Sequence, residues 1–296
     1  VLNSARRLGS AHGLDVVAAL EKPLSIQTLN GFFEQMTNVG KGPKCDDHAQ
    51  ALATGQFTLY YQPVIEIATR RVKGVEALAR WQHPERGILL PDVFLEPIVN
   101  DGLMQALTDF VIKTSIQQAS SWHQAGENMT LAMNVTASAL LDLSLPDKIS
   151  DACKANNVPP DMLILEVTET EAMHDVTRTM DVLLRMRLRN IGVSIDDFGT
   201  GHSSLRELQR MPFSELKIDK SFVIDMARNK DCVVIVNSII DLGHNLGLKV
   251  IAEGVENQQI WEMLRAKNCD FAQGFHMGRP MPAADFNAWL EGWRKG

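Results

Sequence analysis

Eight short apolar stretches, most of them separated by longer helix-patterned segments, leave this chain few folds to adopt. They are Thr58–Val64, Val72–Ala79, Thr130–Val135, Leu163–Thr168, Ile191–Asp196, Glu215–Asp219, Lys249–Glu253 and Phe271–Phe275. Short apolar runs of this kind read as strands buried on both faces, which is the condition of a parallel sheet. Helical patterns such as Asp92–Gln124, Ala172–Asn190 and Cys232–Leu246 lie between most of them. The alternation predicts an α/β fold, a (β/α)8 TIM-like barrel. Only Ile65–Arg71 joins the first two stretches, too little chain for the crossover that parallel neighbours need, so the first strand is expected to be antiparallel.

Composition narrows the chemistry. Among 296 residues, 36 acidic and 29 basic side chains give a net charge of −7, which argues against DNA as a partner. A phosphate-bearing ligand stays open, because bound cations can supply positive charge locally. No apolar run is long enough to span a membrane and no signal-peptide pattern opens the chain. Cys45, Cys153, Cys232 and Cys269 lie far apart with no C-x-x-C, as expected of a reduced cytoplasmic protein. The histidines show neither H-E-x-x-H nor a pair at i, i+4, so a metal is expected to be held by oxygen.

The beginning of the chain reads differently. Leu2–Leu8 is helix-like, Gly13 breaks the pattern, and Leu14–Leu20 reads as a buried strand. Glu21-Lys22-Pro23 makes a turn, and Ser25 caps a helix to Met36. Residues 1–36 are too few to bury a core and are expected to be the C-terminal part of an α/β unit. The first residue, Val1 rather than Met, fits a chain cut from something longer. Residues 37–47, with Gly, Pro and charge but no period, read as a linker. Residues 48–296 are expected to form the barrel.

Glu76, Asn134, Glu166, Asp196, Lys217, Glu253 and Gln273 each fall within or at the end of a different strand-like stretch, mostly among apolar neighbours. A carboxylate in a buried strand is costly unless paired or metal-bound. One such residue could be a hydrogen-bonded structural acid. Six or seven at equivalent places point instead to the C-terminal mouth of the barrel, where such folds keep their active sites. Glu76, Glu166, Asp196, Asp197 and Glu253, with the amide of Asn134, are hard oxygen donors that suit Mg²⁺ or Mn²⁺. Two such ions would cancel most of the mutual repulsion and could clamp both oxygens of a phosphoryl displacement. Lys217, between Leu216 and Ile218, adds a cation that could orient water or phosphate. The segment from Asp196 to Ser204 admits a rival reading. Gly199-Thr200-Gly201 follows a strand, and Asp219 stands 20 residues after Gly199, as in a dinucleotide fingerprint lacking its third glycine. The two carboxylates before the glycines would repel a bare pyrophosphate, so the segment is read as a metal-bearing loop.

With these residues in view, the chain from about residue 46 to 295 resembles an EAL domain, a phosphodiesterase of the second messenger cyclic di-GMP. The resemblance rests on Tyr61-Gln62-Pro63, Glu76-Ala77-Leu78-Ala79-Arg80-Trp81, Asn134-Val135, Glu166-Val167-Thr168-Glu169 and Asp196-Asp197-Phe198-Gly199. It continues through Leu216-Lys217-Ile218-Asp219, Ala252-Glu253-Gly254-Val255-Glu256 and Gln273-Gly274-Phe275, in the family's order. It implies metal-dependent hydrolysis of cyclic di-GMP to linear pGpG, with two Mg²⁺ or Mn²⁺ ions and with Ca²⁺ inhibitory. Glu76, Asn134, Glu166 and Asp196 would ligate metal, Asp197 and Glu253 would complete the pair of ions, and Glu253 is also a candidate general base. Lys217 would sit on the nucleophilic water and Gln273 close to the reaction centre. Gln62, Leu78, Arg80, Asp219 and Pro282 would hold the dinucleotide. Glu169 follows the strand end and is not expected to be a ligand; the family ties that glutamate to the Asp197–Ser204 loop. His202 and Phe275-His276-Met277 depart from the family's more usual residues. A non-catalytic receptor on the same fold is the alternative, and the complete donor set favours the enzyme.

Residues 1–36 resemble the last third of a response-regulator receiver, in which Lys22 would contact the phosphoryl group. That resemblance implies a receiver–EAL response regulator, a sensor histidine kinase as partner, and self-association through the barrel.

Overall fold

The computed structural model describes residues 45–201 and 205–295. The readings placed on residues 1–36, on Lys22 and on His202, Ser203 and Ser204 lie outside the described residues, as does most of the expected linker. A helix, Cys45–Ala53, starts within that expected linker, and the compact unit runs over Cys45–Gly296.

The described residues form nine strands: β1 (Phe57–Glu66), β2 (Val72–His83), β3 (Gly87–Leu89), β4 (Thr130–Asn134), β5 (Leu163–Thr168), β6 (Gly192–Phe198), β7 (Glu215–Ile218), β8 (Lys249–Ala252) and β9 (Phe271–Gln273). Eight close into a barrel in the order β1-β2-β4-β5-β6-β7-β8-β9, with β9 returning to β1. β1 runs antiparallel to both neighbours, as its short link to β2 requires. Every other barrel pair is parallel. β3 folds back on β2 outside the barrel and is too short to show a period in sequence.

Strand alternation sorts the side chains into two environments. Leu131, Leu165, Val193, Leu216 and Val250 face outward and are buried under the surrounding helices, in one continuous core with Leu107, Val182, Val236 and Leu264. Inside the barrel, Val64, Ile251 and Phe271 form a separate apolar cluster. Each lies two residues from Gln62, Glu253 or Gln273 and so shares their inward face. The polar layer therefore rests on an apolar floor.

Two expected helices are divided. Asp92–Gln124 is two helices, Pro91–Asn100 and Met104–Gln124. Between them Asp101 N–H closes back on Pro97 O, and Gly102 takes φ +70°. That left-handed turn suits a residue without Cβ and ends the first helix. Ala172–Asn190 likewise falls on two helices, the last residue of the one-turn Glu169–Ala172 and a longer one, Val176–Leu188. The Asp175 carboxylate accepts from Arg178 N–H and starts the second helix afresh. Cys232–Leu246 lies at Lys230–Asn245, capped by Asn229. Among the described residues no helix is long and apolar enough to cross a membrane.

Candidate active site

Strand pairing assembles the site before any side chain is considered. Gln62 faces Glu76 across β1 and β2, Val64 faces Gln273, and Asn134 faces Glu166. β6 carries a register shift between Ile195 and Phe198, and Asp197 takes φ +53° there. An irregularity of this kind re-aims side chains. It brings two consecutive carboxylates, Asp196 and Asp197, within reach of Glu253.

At the centre is Lys217, fully buried. Its Nζ lies 2.8 Å from Glu253 Oε1, 3.0 Å from Glu166 Oε1, 3.3 Å from Glu76 Oε2 and 3.4 Å from Asp196 Oδ1. Glu76 is the second hub. Gln273 Nε2 donates to its Oε2 at 2.6 Å and Asn134 Nδ2 to its Oε1 at 2.9 Å. Gln273 Nε2 also reaches Gln62 Oε1 at 3.1 Å, and Gln62 Nε2 donates to Gly278 O at 3.1 Å.

One ammonium cannot satisfy five acids. Burial pushes the Glu76 carboxyl up, but Lys217 and the amides of Gln273 and Asn134 more than offset it, so Glu76 ends below the ordinary value. Glu166 goes well above, through burial and the neighbouring Glu76 charge. Glu253 is pushed up to about 8 by burial, with Asp196 and Glu76 adding to the rise, although Lys217 opposes it. Asp197 rises to about 6 through burial and the charges of Asp196 and Asp219. Burial works against the Lys217 ammonium, yet its four carboxylate neighbours hold it well above the usual lysine range.

The donor set fits divalent cations. Glu76, Glu166 and Asp196 offer ligand atoms within 4.8 Å of one another, and so do Asp196, Asp197 and Glu253. Two overlapping sets that share Asp196 are what a pair of ions would use. When all five are ionised, the carboxylates exceed the single ammonium by four charges, which two divalent ions would cancel. Gln273 Oε1 is buried without a hydrogen-bond partner, an acceptor left for a donor brought in from outside. Asn134 turns its Nδ2 toward Glu76 and Glu166, so its amide must rotate to present oxygen to a cation.

Glu169 is buried on the one-turn helix, and its Oε2 accepts from Gly199 N–H at 3.1 Å and Gly201 N–H at 3.2 Å. Both bonds lead into the loop that follows Asp197. An added Cβ at Gly201 would come within 2.7 Å of that carboxylate, which would have to shift to make room. The same two bonds answer the dinucleotide reading, because the amides a pyrophosphate would need are already taken. Asp219, the acid of that fingerprint, caps Lys220–Ile224 and accepts from Ser221 N–H at 2.9 Å.

A cleft of about 520 Å³ opens over this cluster. Gln62, Glu76, Leu78, Arg80, Asp196, Glu253 and Gln273 line it. Leu90, Lys220, Ile224 and Pro280 also form its wall and had not been singled out. Lys220 and Pro280 stand close to recognised motifs, whereas Leu90 and Ile224 are ordinary apolar residues with nothing to mark them. Pro282 precedes the last helix, Ala283–Trp293, as its cap, and Pro280 lines the cleft. Asn134 lines an adjoining cavity of about 310 Å³ that shares Leu78.

Comparison with known proteins agrees with this architecture. The EAL domain family model matches residues 46–280. The bifunctional diguanylate cyclase/cyclic di-GMP phosphodiesterase MucR of Pseudomonas aeruginosa is 39% identical over 256 residues, covering 85% of this chain and 37% of MucR. The chain thus spans little more than a third of that relative. The cyclic di-GMP phosphodiesterase RocR of the same organism is 30% identical over 290 residues, covering 95% of this chain and 74% of RocR. The solved structure of the MucR phosphodiesterase in complex with c-di-GMP superposes with a TM-score of 0.78 at 39% identity, covering 81% of this chain and 98% of that one. On the family match and on the barrel that carries its motifs, the chain belongs to the EAL domain family.

Proposed function

We propose that the barrel hydrolyses cyclic di-GMP to linear pGpG with the help of divalent cations, Mg²⁺ or Mn²⁺. The observation that carries this reading is the convergence of Glu76, Glu166, Asp196 and Glu253 on one buried lysine beneath an open cleft. The names of MucR and RocR supply the substrate. Cations bound by Glu76, Asn134, Glu166, Asp196, Asp197 and Glu253 would supply charge neutralisation and Lewis-acid polarisation of a phosphoryl oxygen. Water adds to one phosphorus of the ring, its bond to the 3′-oxygen breaks, and a 5′-phosphate and a 3′-hydroxyl result. Glu253, lining the cleft beside the Lys217 ammonium, is the carboxylate that would take the proton of that water. Lys217 holds negative charge in place at the centre, and Gln273 fixes the Glu76 carboxylate through its Nε2. Gln62, Leu78 and Arg80 form the wall against which the dinucleotide rests.

The test is incubation with cyclic di-GMP and Mg²⁺, with products separated by chromatography. The pGpG product is expected with Mg²⁺ or Mn²⁺ and not with Ca²⁺, which tolerates looser coordination. Binding without product would favour the non-catalytic receptor, and hydrolysis undiminished after verified metal removal would sink the two-ion reading. Glu253→Ala is expected to lower turnover by about 10²–10⁴-fold while leaving the fold intact; a variant at half the wild-type rate would contradict its role.

The same proposal takes residues 1–36 as the end of a receiver and 37–47 as a linker, with a sensor histidine kinase upstream and self-association through the barrel. Support comes from the reach of the RocR match, which extends further than the unit Cys45–Gly296 does by itself.

A further inference from the structure

The one-turn helix Glu169–Ala172 carries a second acid two residues beyond the loop anchor. Thr168 begins the helix, its Oγ1 accepting from Glu171 N–H at 3.2 Å. Glu171 Oε2 accepts in return from Thr168 N–H at 3.2 Å and from the Thr168 hydroxyl at 2.8 Å. That reciprocal pair is a capping box, enough by itself to stop the helix from fraying. It uses only one oxygen. The other, Oε1, crosses to the loop after β4 and accepts from Ala137 N–H at 3.2 Å.

The consequence lies in what each end of these bonds is attached to. Ala137 is three residues past Asn134, Thr168 is two past Glu166, and Thr168 faces Asp196 in the β5–β6 register. Glu169 meanwhile holds Gly199 and Gly201, just past Asp197. Two acids on one four-residue helix therefore fasten together the exits of three successive strands, and those exits carry Asn134, Glu166, Asp196 and Asp197. Bonds to an ionised carboxylate are the stronger kind, and a fixed ligand geometry depends on the groups behind it.

We propose that Glu171 is a positioning residue of the cation site, holding the end of β4 against the end of β5 so that Asn134 keeps its place beside Glu166. The proposal rests on the metal-dependent reading above. Glu171 acts through Ala137 and Thr168 and touches neither the acidic cluster's ammonium nor its carboxylates.

The experiment compares wild type, Glu171→Ala and Glu171→Gln by calorimetric titration with Mn²⁺ and Mg²⁺, by thermal unfolding, and by kcat and KM on cyclic di-GMP at several Mg²⁺ concentrations. Glu171→Ala is expected to weaken cation binding by about tenfold, a change typical when the partner behind a ligand is lost. It should raise the Mg²⁺ half-saturation point in step, lower kcat, and leave KM at saturating metal nearly unchanged. Glu171→Gln keeps an oxygen that can accept from Ala137 N–H, and should recover most of the cation affinity although half the capping box is lost. Glu171→Ala with a lowered unfolding midpoint but wild-type cation affinity would reduce the residue to a helix cap and overturn the proposal. Equal loss of cation affinity in the Gln and Ala variants would overturn it too. The titration reads cation binding directly, so a wild type that binds Mn²⁺ but does not cut cyclic di-GMP would fault the proposed reaction and still leave Glu171 tested.

Discussion

Glu253 lies 2.8 Å from the Lys217 ammonium, and its carboxyl is nevertheless raised from an ordinary 4.5 to about 8. Burial outweighs the attraction, because Lys217 is shared with three other acids. Asp197 is raised in the same direction, to about 6, again chiefly by burial. Unfolding returns both groups to ordinary values. Between about pH 4.5 and 8 the folded, metal-free protein therefore holds protons that the unfolded chain releases, and the stability this confers is lost as pH rises through 8. Glu76, lowered by its neighbours, acts with the opposite sign, but its window lies below 4.5 and does not oppose the trend. Divalent cations bind the carboxylate form, so their stabilising effect grows across the same interval. Thermal unfolding in EDTA and in excess Mg²⁺, at pH 5.5 and at pH 8, reads this directly. The Mg²⁺-induced rise in midpoint should be the larger at pH 8. An equal rise at both would mean that protons and cations do not compete for these acids.

Between elements, a narrow tolerance lies at the seam of β2 and β4, where Gly74 pairs with Thr130. A Cβ at Gly74 would lie 2.2 Å from Thr130 Oγ1 and 2.3 Å from Thr130 O, and backbone cannot yield as the tip of a side chain can. Gly74→Ala must part the two strands two residues from Glu76. It is expected to destabilise by about 1–3 kcal/mol, the usual range for an overpacked interior. A urea midpoint equal to wild type would show that the seam can open without cost. The strands themselves were legible because Glu166 and Glu253 interrupt apolar runs, and a buried charge stands out against such a background. Gly102 and Asp175 were less so: each divides one helical period into two through a turn that periodicity does not register. The shift in β6 that aims Asp197 was hidden altogether, since it reflects how β6 and β7 align and not any local pattern. The bonds from Glu169 and Glu171 to neighbouring loops were hidden for a related reason. Glu169 could be given its partner only through family resemblance, and the bond from Glu171 to Ala137 joins residues 34 apart that only the barrel's closure brings together.

At the scale of the molecule, the barrel is a compact unit of its own. The unit Cys45–Gly296 contains both hydrophobic clusters, the closed sheet and every residue placed around Lys217. The solved MucR phosphodiesterase, matched over 98% of its length by 81% of this chain, is a unit of similar extent. Residues 1–44 are therefore expected to be dispensable for folding and to matter for rate. The sequence that leads into the barrel, with Gly40, Gly42 and Pro43, has the composition of a linker and not of a stiff spacer. Coupling across such a segment would work through docking of the preceding unit or through self-association. A chain of residues 45–296 should keep a cooperative unfolding transition at the wild-type midpoint and should still cut cyclic di-GMP, at a basal rate different from that of the longer chain. Light scattering on both forms separates the two routes: a change of rate with no change in mass assigns the effect to docking, and a change in both assigns it to assembly. Identical rates and identical masses would mean that the first 44 residues do not regulate the barrel, and the response-regulator reading would fall with them. A truncated chain that fails to fold would show instead that those residues complete the core.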